Sequence, residues 1–203
     1  MGPAEPVIAQ IQGYCLAGGS ELAGFCDLRI VADDAQIGWP VGRNWSPGNL
    51  QYFPWLVGMT RAKYYMFTNE PITGAQALEW GWASEAVPAA ELEDRTEAVA
   101  RQIALTPTDL LMMAKRSINR QFEIMGFRTG LATSVDHLAL AMMRPAARRE
   151  DEFGRISREQ GLKAALDWRD RQLGMNYRTS ESAKKLRRTP AKAKSSGKGE
   201  KAK

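Results

Sequence analysis

The chain has 203 residues, which is long enough for one domain with a full hydrophobic core. Its 28 Lys and Arg residues outnumber 23 Asp and Glu residues, giving a net charge of +5, but the basic excess lies in residues 175–203. Residues 1–174 carry a slight excess of acidic side chains. This distribution argues against a nucleic-acid-binding domain, because such domains carry their basic residues on folded elements.

The N-terminal sequence, the apolar runs and the cysteines bear on the cellular location of the protein. The sequence has no charged-then-apolar leader segment and no apolar run of membrane-spanning length. Its two cysteines, Cys15 and Cys26, fit neither a disulfide framework nor the spacing of a metal site. We therefore expect a cytoplasmic protein with reduced thiols, no metal and no membrane contact.

The stretch at 6–27 predicts a strand, a glycine turn and a short helix. An apolar run opens it, and Gly18 and Gly19 allow the backbone to turn tightly and to approach a ligand. Ser20 is predicted as the N-cap, with Glu21 in the first helical turn. The free N–H groups of such a turn can hold an oxyanion, and a nearby carboxylate can act on a proton or a water. On spacing alone, a purely structural Glu21 explains the pattern equally well.

Further elements are predicted after this stretch. In chain order they are a strand at 28–32, a long Pro/Gly/Asn-rich loop at 39–58, helices at about 60–67 and 75–80, and a short strand at 82–87. Thr73 is the predicted N-cap of the second of these helices. Apolar residues then recur at helical spacing, with breaks at Pro107 and Pro145 and a last helix at about 150–173. Residues 175–203 are predicted to be disordered.

Several of these segments resemble one family. They are Pro-Val-Ile-Ala at 6–9, Leu-Ala-Gly-Gly-Ser-Glu-Leu-Ala at 16–23, Cys-Asp-Leu-Arg-Ile-Val-Ala-Asp at 26–33, Ile-Thr-Gly-Ala-Gln-Ala-Leu at 72–78, Ala-Lys-Arg at 114–116 and Gln-Gly-Leu-Lys at 160–163. Together they resemble the crotonase (enoyl-CoA hydratase/isomerase) superfamily, in the family's order, over roughly 6–174. The resemblance is specific because separate segments agree.

The resemblance implies an α/β fold. We expect a crotonase-like spiral of ββα units at 1–88, a helical C-terminal oligomerisation region at 89–174 and the basic tail at 175–203. The spiral is expected to be N-terminally incomplete, because family members carry strands and helices before the segment matched at 6–9. Members of this family usually form trimers or dimers of trimers, so the resemblance also implies a homotrimer or hexamer.

The resemblance also implies a chemistry. The substrate would be an acyl-CoA thioester, with CoA as part of the substrate and no other cofactor. The N–H of Gly18, beside Gly19, would be one donor to the enolate oxygen, and Glu21 would be catalytic. The family's second catalytic glutamate follows a Gly-x-Pro turn, and the matching position here is Val41. No Asp or Glu lies between Asp34 and Glu70, so no neighbour replaces that carboxylate.

An acyl pocket is predicted in the long loop. Eight of the chain's 17 aromatic residues fall between residues 39 and 67, a composition that suits either an apolar pocket or core packing. The pocket candidates are Trp39, Val41 and Trp45. Polar groups that could assist the chemistry are Arg43, Asn44, Ser46, Asn49 and Tyr52. His137, the only histidine, is expected to be a surface or packed side chain.

Three hypotheses remain open from the sequence. The first is an acyl-CoA-processing hydratase or isomerase. The second is a catalytically impaired paralogue that binds only acyl-CoA or protein partners. The valine at position 41 favours this hypothesis. The third, nucleic-acid binding through the tail, is disfavoured by the acidic body.

Overall fold

The computed structural model describes residues 5–43, 47–48, 50–144 and 148–172. Two three-stranded sheets organise the first half of the chain. In one, β1 (Ile8–Ile11), β3 (Leu28–Ala32) and β6 (Glu85–Val87) run parallel in that order. In the other, β4 (Gln36–Gly38) pairs in parallel with β2 (Tyr14–Leu16) and antiparallel with β5 (Ile72–Thr73). The predicted α/β class is confirmed.

Strand β3 lies at the centre of the larger sheet. Its residues Ile30, Val31 and Ala32 are fully buried, as expected for a parallel strand covered on both faces. Burying a side chain such as Ile30 contributes about 1.5–3 kcal/mol. The chain also approaches β3 very closely at Gly74, where an added Cβ would lie only 1.9 Å from the carbonyl oxygen of Ala32. Only glycine permits this contact.

Helices follow or connect these strands. In chain order they are α1 (Gly18–Gly24), a 3₁₀ turn (Pro40–Arg43), α2 (Phe53–Val57), α3 (Met59–Thr68), α4 (Gly74–Glu79), α5 (Leu92–Ile103), α6 (Thr108–Ile124), α7 (Phe127–Met143), α8 (Arg148–Gln160) and α9 (Leu162–Gln172). The predicted N-cap of α4 is confirmed, because Thr73 and Gln76 form a reciprocal capping box. No helix in the described part of the chain has the length and apolar character needed to cross a bilayer.

The structure differs from the local predictions at three places. Strand β2, between Gly13 and the glycine turn at Gly18 and Gly19, was not predicted. Helix α2 lies inside the segment predicted as a loop at 39–58. The single helix predicted at 150–173 is two helices, because Gly161 adopts a φ of +89° that a continuing helix does not allow.

An ion pair fastens α6 to the sheet region. Lys115 Nζ lies 2.6 Å from Asp27 Oδ2 and donates to the carbonyl oxygen of Glu5 at 3.0 Å. The same Asp27 oxygen accepts from the Val7 N–H at 2.7 Å. Because the side chains of Lys115 and Asp27 are only 15% and 24% exposed, the contact is partly shielded from water. It holds the beginning of β1 against α6.

Candidate active site

The candidate site begins at the turn into α1. Ala17, the residue before the helix, has a φ of 51° and ψ of −126°, which is an unusual conformation for a residue with a side chain. Its N–H donates to the Gly38 carbonyl oxygen at 2.8 Å, and its own carbonyl oxygen accepts from the N–H groups of Ser20 and Glu21. The turn is therefore fixed from both sides.

The two glycines after Ala17 face open space. Gly18 and Gly19 are exposed, and a Cβ added to either would meet no atom within 4 Å. The first N–H groups of a helix have no partner inside the helix, so they are available to a ligand that enters this space. The role of Gly18 as an oxyanion donor stays a prediction.

The N-cap prediction for Ser20 was wrong. The helix begins three residues earlier than predicted, at Gly18 with Ala17 as its N-cap residue, and Ser20 lies within it with only 1% of its surface exposed. Its hydroxyl donates to the carbonyl oxygen of Ala17 at 2.8 Å. Ser20 therefore stabilises the turn before α1, and its buried side chain does not face a ligand.

Glu21 lies in the first turn of α1, as predicted, and is half-buried. Its Oε1 accepts a hydrogen bond from the N–H of Leu50 at 2.9 Å. The structure thus gives the candidate catalytic group a defined orientation.

Tyr52 also holds α1 in place, through contacts with Ser20 and Gly24. Its hydroxyl donates to the Ser20 carbonyl oxygen at 2.6 Å, and its ring packs so close to Gly24 that an added Cβ would lie 2.1 Å from a ring carbon. Burial raises the pKa of Tyr52, so the hydroxyl keeps its proton and remains a donor. The Cys15 thiol on β2 is also inert, because burial raises its pKa to about 12.

The predicted pocket residues lie in different environments. Val41 is in the 3₁₀ turn, half-buried and packed against the core, and it supplies no carboxylate. Trp39 is 4% exposed and belongs to the core, so it presents little surface to a ligand in this structure. Trp45 lies outside the described residues, as do Asn44, Ser46 and Asn49. Their assignment to an acyl pocket stays a prediction.

An open cavity of about 610 Å³ lies beside α7. One wall is formed by Pro47, Gly48 and Gln51, and the other is the N-terminal two thirds of α7, including Thr133, Ser134 and His137. We call this space the α7 cavity. Sequence reasoning did not find it, because its walls are about eighty residues apart in the chain and carry no motif.

Leu50 and Gln51 link the wall of this cavity to the candidate site. The N–H of Leu50 donates to Glu21, and the next N–H, that of Gln51, donates to Ser134 Oγ at 3.2 Å. Sequence analysis missed both contacts, since a backbone N–H carries no residue-type signal. Two adjacent backbone N–H groups thus bind the carboxylate of Glu21 and the hydroxyl of Ser134 on α7.

Comparison with known proteins identifies the family of this chain. The family model for enoyl-CoA hydratase/isomerase matches residues 3–144. The chain therefore belongs to the enoyl-CoA hydratase/isomerase family, and the predicted crotonase resemblance is confirmed.

Individual relatives agree with this assignment. A short-chain-enoyl-CoA hydratase of Clostridium acetobutylicum is 36% identical over 119 residues, covering 57% of this chain and 46% of the relative. A hydroxycinnamoyl-CoA hydratase-lyase of Pseudomonas fluorescens is 33% identical over 168 residues, covering 81% of this chain and 57% of the relative. The chain thus spans about half the length of the curated relatives it matches.

Solved structures show the same fold. The crystal structure of an enoyl-CoA hydratase from Mycobacterium smegmatis superimposes with a TM-score of 0.79 at 36% identity, covering 88% of this chain and 60% of that one. An enoyl-CoA hydratase/isomerase from Xanthobacter autotrophicus Py2 gives a TM-score of 0.75 at 30% identity, covering 83% and 63% of the two chains.

Proposed function

We propose that this protein binds an acyl-CoA thioester and stabilises its enolate, with Gly18 N–H as one oxyanion donor and Glu21 as the catalytic carboxylate. Family membership supports the substrate class. The observation that carries the proposal is the geometry of α1: its first residues, Gly18 and Gly19, are exposed with open space where a Cβ would lie, while the Glu21 carboxylate accepts from the Leu50 N–H.

The chemistry follows from what each group can do. The α-proton of a thioester becomes acidic when the carbonyl oxygen can accept negative charge, and a preorganised N–H donor lowers that barrier by several kcal/mol. Glu21 can then remove or return a proton at carbon, or orient a water. Gly18 supplies one donor, so the proposal requires a second N–H from another part of the assembled enzyme.

The valine at position 41, in place of a second carboxylate, determines which reaction we expect to be favoured. Addition of water across a double bond uses one group to deprotonate water and another to protonate carbon. With valine at the second position, Glu21 alone suits proton transfer between two carbons, as in double-bond isomerisation, better than hydration. The same substitution favours the second candidate, a paralogue that binds acyl-CoA without turnover.

The assembly and location belong to the same proposal. We infer a homotrimer or hexamer formed through the helices after residue 89, because α6 and α7 expose large apolar side chains that a partner copy would bury. We place the enzyme in the cytoplasm, with CoA as part of the substrate and no further cofactor.

The test compares binding with turnover. We would give the chain, and a version extended upstream if the reading frame allows one, crotonyl-CoA and matched 2-enoyl and 3-enoyl thioesters. Glu21→Gln should lower kcat by at least about a hundredfold and change thioester affinity little, since general acid–base catalysis contributes at least that factor. Glu93→Gln is the matched control, because Glu93 also lies in the first turn of a helix, α5, away from the site.

The outcomes separate the candidates. Turnover that depends on Glu21 and not on Glu93 supports the enzyme. Thioester binding by parent and variant with no turnover in any form supports the binding-only paralogue. No thioester binding by either form contradicts both.

A further inference from the structure

Residues 50–52 connect α1 with α7, and we call them the connecting segment. The N–H of Leu50 donates to Glu21 Oε1 on α1 at 2.9 Å, and the N–H of Gln51 donates to Ser134 Oγ on α7 at 3.2 Å. The hydroxyl of Tyr52 then returns to α1, where it donates to a carbonyl oxygen at 2.6 Å. The candidate carboxylate and a side chain of α7 are thus hydrogen-bonded to adjacent amides of one short stretch of chain.

Ser134 is placed in α7 as a hydrogen-bond acceptor. It is buried, with 6% of its surface exposed, whereas the preceding Thr133 and the following Val135 are exposed. The Ser134 hydroxyl donates to the Leu131 carbonyl oxygen at 2.7 Å, so its proton is engaged within the helix and its oxygen accepts from the Gln51 N–H. Such a bond is costly to lose at a buried position, because water does not replace the missing partner there.

Aromatic contacts fix the position of α7 beside α1. Phe127, the first residue of α7, packs edge-on against Phe25, the C-cap residue of α1, with ring centroids 6.1 Å apart. The Phe127 ring also contacts Trp55 on α2 at 5.6 Å. Ser134 follows Phe127 by about two helical turns, so the two side chains lie on the same face of α7. The acceptor therefore stands on a face of α7 that is already anchored to α1.

The orientation of Glu21 depends on how firmly Leu50 is held, because the Leu50 N–H can direct the carboxylate only while its own backbone stays in place. The Gln51 N–H belongs to the planar peptide group that follows Leu50. Its bond to Ser134 therefore restrains the Leu50 backbone from the side of α7. Proton transfer is sensitive to this restraint, since a misplacement of about 1 Å can cost on the order of a hundredfold in rate.

We propose that Ser134 is a positioning residue for Glu21. Through the Gln51 N–H it holds the connecting segment, and the Leu50 N–H in turn holds the carboxylate that acts on the thioester. This inference rests on the proposed catalytic role of Glu21 and deepens it by adding a side chain of α7 to the groups on which that role depends. Because Ser134 acts through the backbone and touches no reacting atom, its removal should change kcat and not thioester binding.

The first measurement is hydrogen exchange at the Leu50 amide. The chain contains a single Asn–Leu pair, at 49–50, so ¹³C-carbonyl asparagine combined with ¹⁵N-leucine identifies this amide alone. Ser134→Ala should accelerate its exchange by about fivefold, the factor that corresponds to the loss of one hydrogen bond. Glu21→Gln should accelerate it as well, because a neutral amide is a weaker acceptor than a carboxylate. That second result would show that the Leu50 amide reports the contact with Glu21.

Thr133→Ala is the matched control. Thr133 lies next to Ser134 on α7, and its hydroxyl donates within the helix, to the Thr129 carbonyl oxygen at 2.9 Å. Its loss should leave exchange at Leu50 unchanged. Ser134→Thr keeps the hydroxyl and should keep the parent rate. If circular dichroism shows that Ser134→Ala does not fold, Ser134→Thr and Ser134→Val make the same comparison, since only threonine of this equally shaped pair has a hydroxyl.

The second measurement is turnover of the enoyl thioesters by the parent and the same variants. Ser134→Ala should lower kcat about tenfold and leave KM unchanged, which is the pattern of an interaction that matters only in the transition state. Ser134→Thr should recover kcat, and Thr133→Ala should keep both constants. A role of Ser134 in the stability of α7 alone would move neither kcat nor exchange at Leu50.

The outcomes separate this inference from the function on which it rests. Faster exchange at Leu50 and a lower kcat in Ser134→Ala, both absent in Thr133→Ala, support the positioning role. Unchanged exchange overturns it and leaves catalysis by Glu21 standing, and faster exchange with an unaltered kcat overturns it too. If no form turns over any thioester, the catalytic role of Glu21 fails. Exchange alone then decides whether Ser134 restrains the contact of Leu50 with Glu21: acceleration supports that restraint, and an unchanged rate overturns it.

Discussion

Tyr52 is one of the side chains that hold α1 in place. Replacing it by phenylalanine removes the donor to the Ser20 carbonyl oxygen and leaves the ring packing intact. We expect Tyr52→Phe to lower the free energy of unfolding by about 1–2 kcal/mol, because the lost hydrogen bond is fully buried. Tyr64→Phe is the control: Tyr64 is exposed, so its change should be within about 0.5 kcal/mol. Urea denaturation measures both, and equal values for the two variants would contradict the assigned role.

Residue types predict part of the candidate site and miss the rest for a physical reason. Glu21 and Gly18 could be proposed because a carboxylate and a glycine turn are visible in the sequence. The donor that orients Glu21 is a backbone N–H of Leu50, and any residue other than proline supplies one. Ser20 was misassigned because Ala17, at a positive φ, begins the helix earlier than residue preferences indicate.

At the scale of elements, the attachment of α6 depends on the ion pair of Lys115 with Asp27. Lys115→Met should lower the free energy of unfolding by about 2 kcal/mol, because it leaves a partly buried carboxylate without its cation. Lys163→Met removes the exposed pair with Asp167 on α9 and should cost less than about 0.5 kcal/mol. Guanidinium denaturation of both variants checks this, and a cost for Lys163→Met as large as for Lys115→Met would refute it.

Elements could be predicted where a local signal exists. The capping box of Thr73 and Gln76 is such a signal, and α4 begins where it indicates. Strand β2 has three residues and exists only through its pairing with β4, which no local window contains. The periodicity of the last predicted helix continues across Gly161, so only the backbone conformation at that residue shows the break.

At the scale of the whole molecule, we predict self-association through the C-terminal helices. Helices α6 and α7 expose Met113, Ile118, Ile124, Leu140 and Met143, each by more than half of its surface. Exposed apolar side chains gathered on neighbouring helices mark an interaction surface, and closed homo-oligomers are the usual way to cover one. We therefore expect analytical ultracentrifugation to give a trimer or hexamer of the 22.5 kDa chain.

A charge within that surface should dissociate the assembly, because an ionised carboxylate resists removal from water. We expect Ile118→Glu to sediment as a smaller species and Phe67→Glu to match the parent, since Phe67 is equally apolar and exposed but lies on α3. Circular dichroism would show that both variants keep their helices. A parent chain that sediments as a monomer at all concentrations would contradict the expectation. Dissociation by Phe67→Glu alone would move the interface from α6 and α7 to α3.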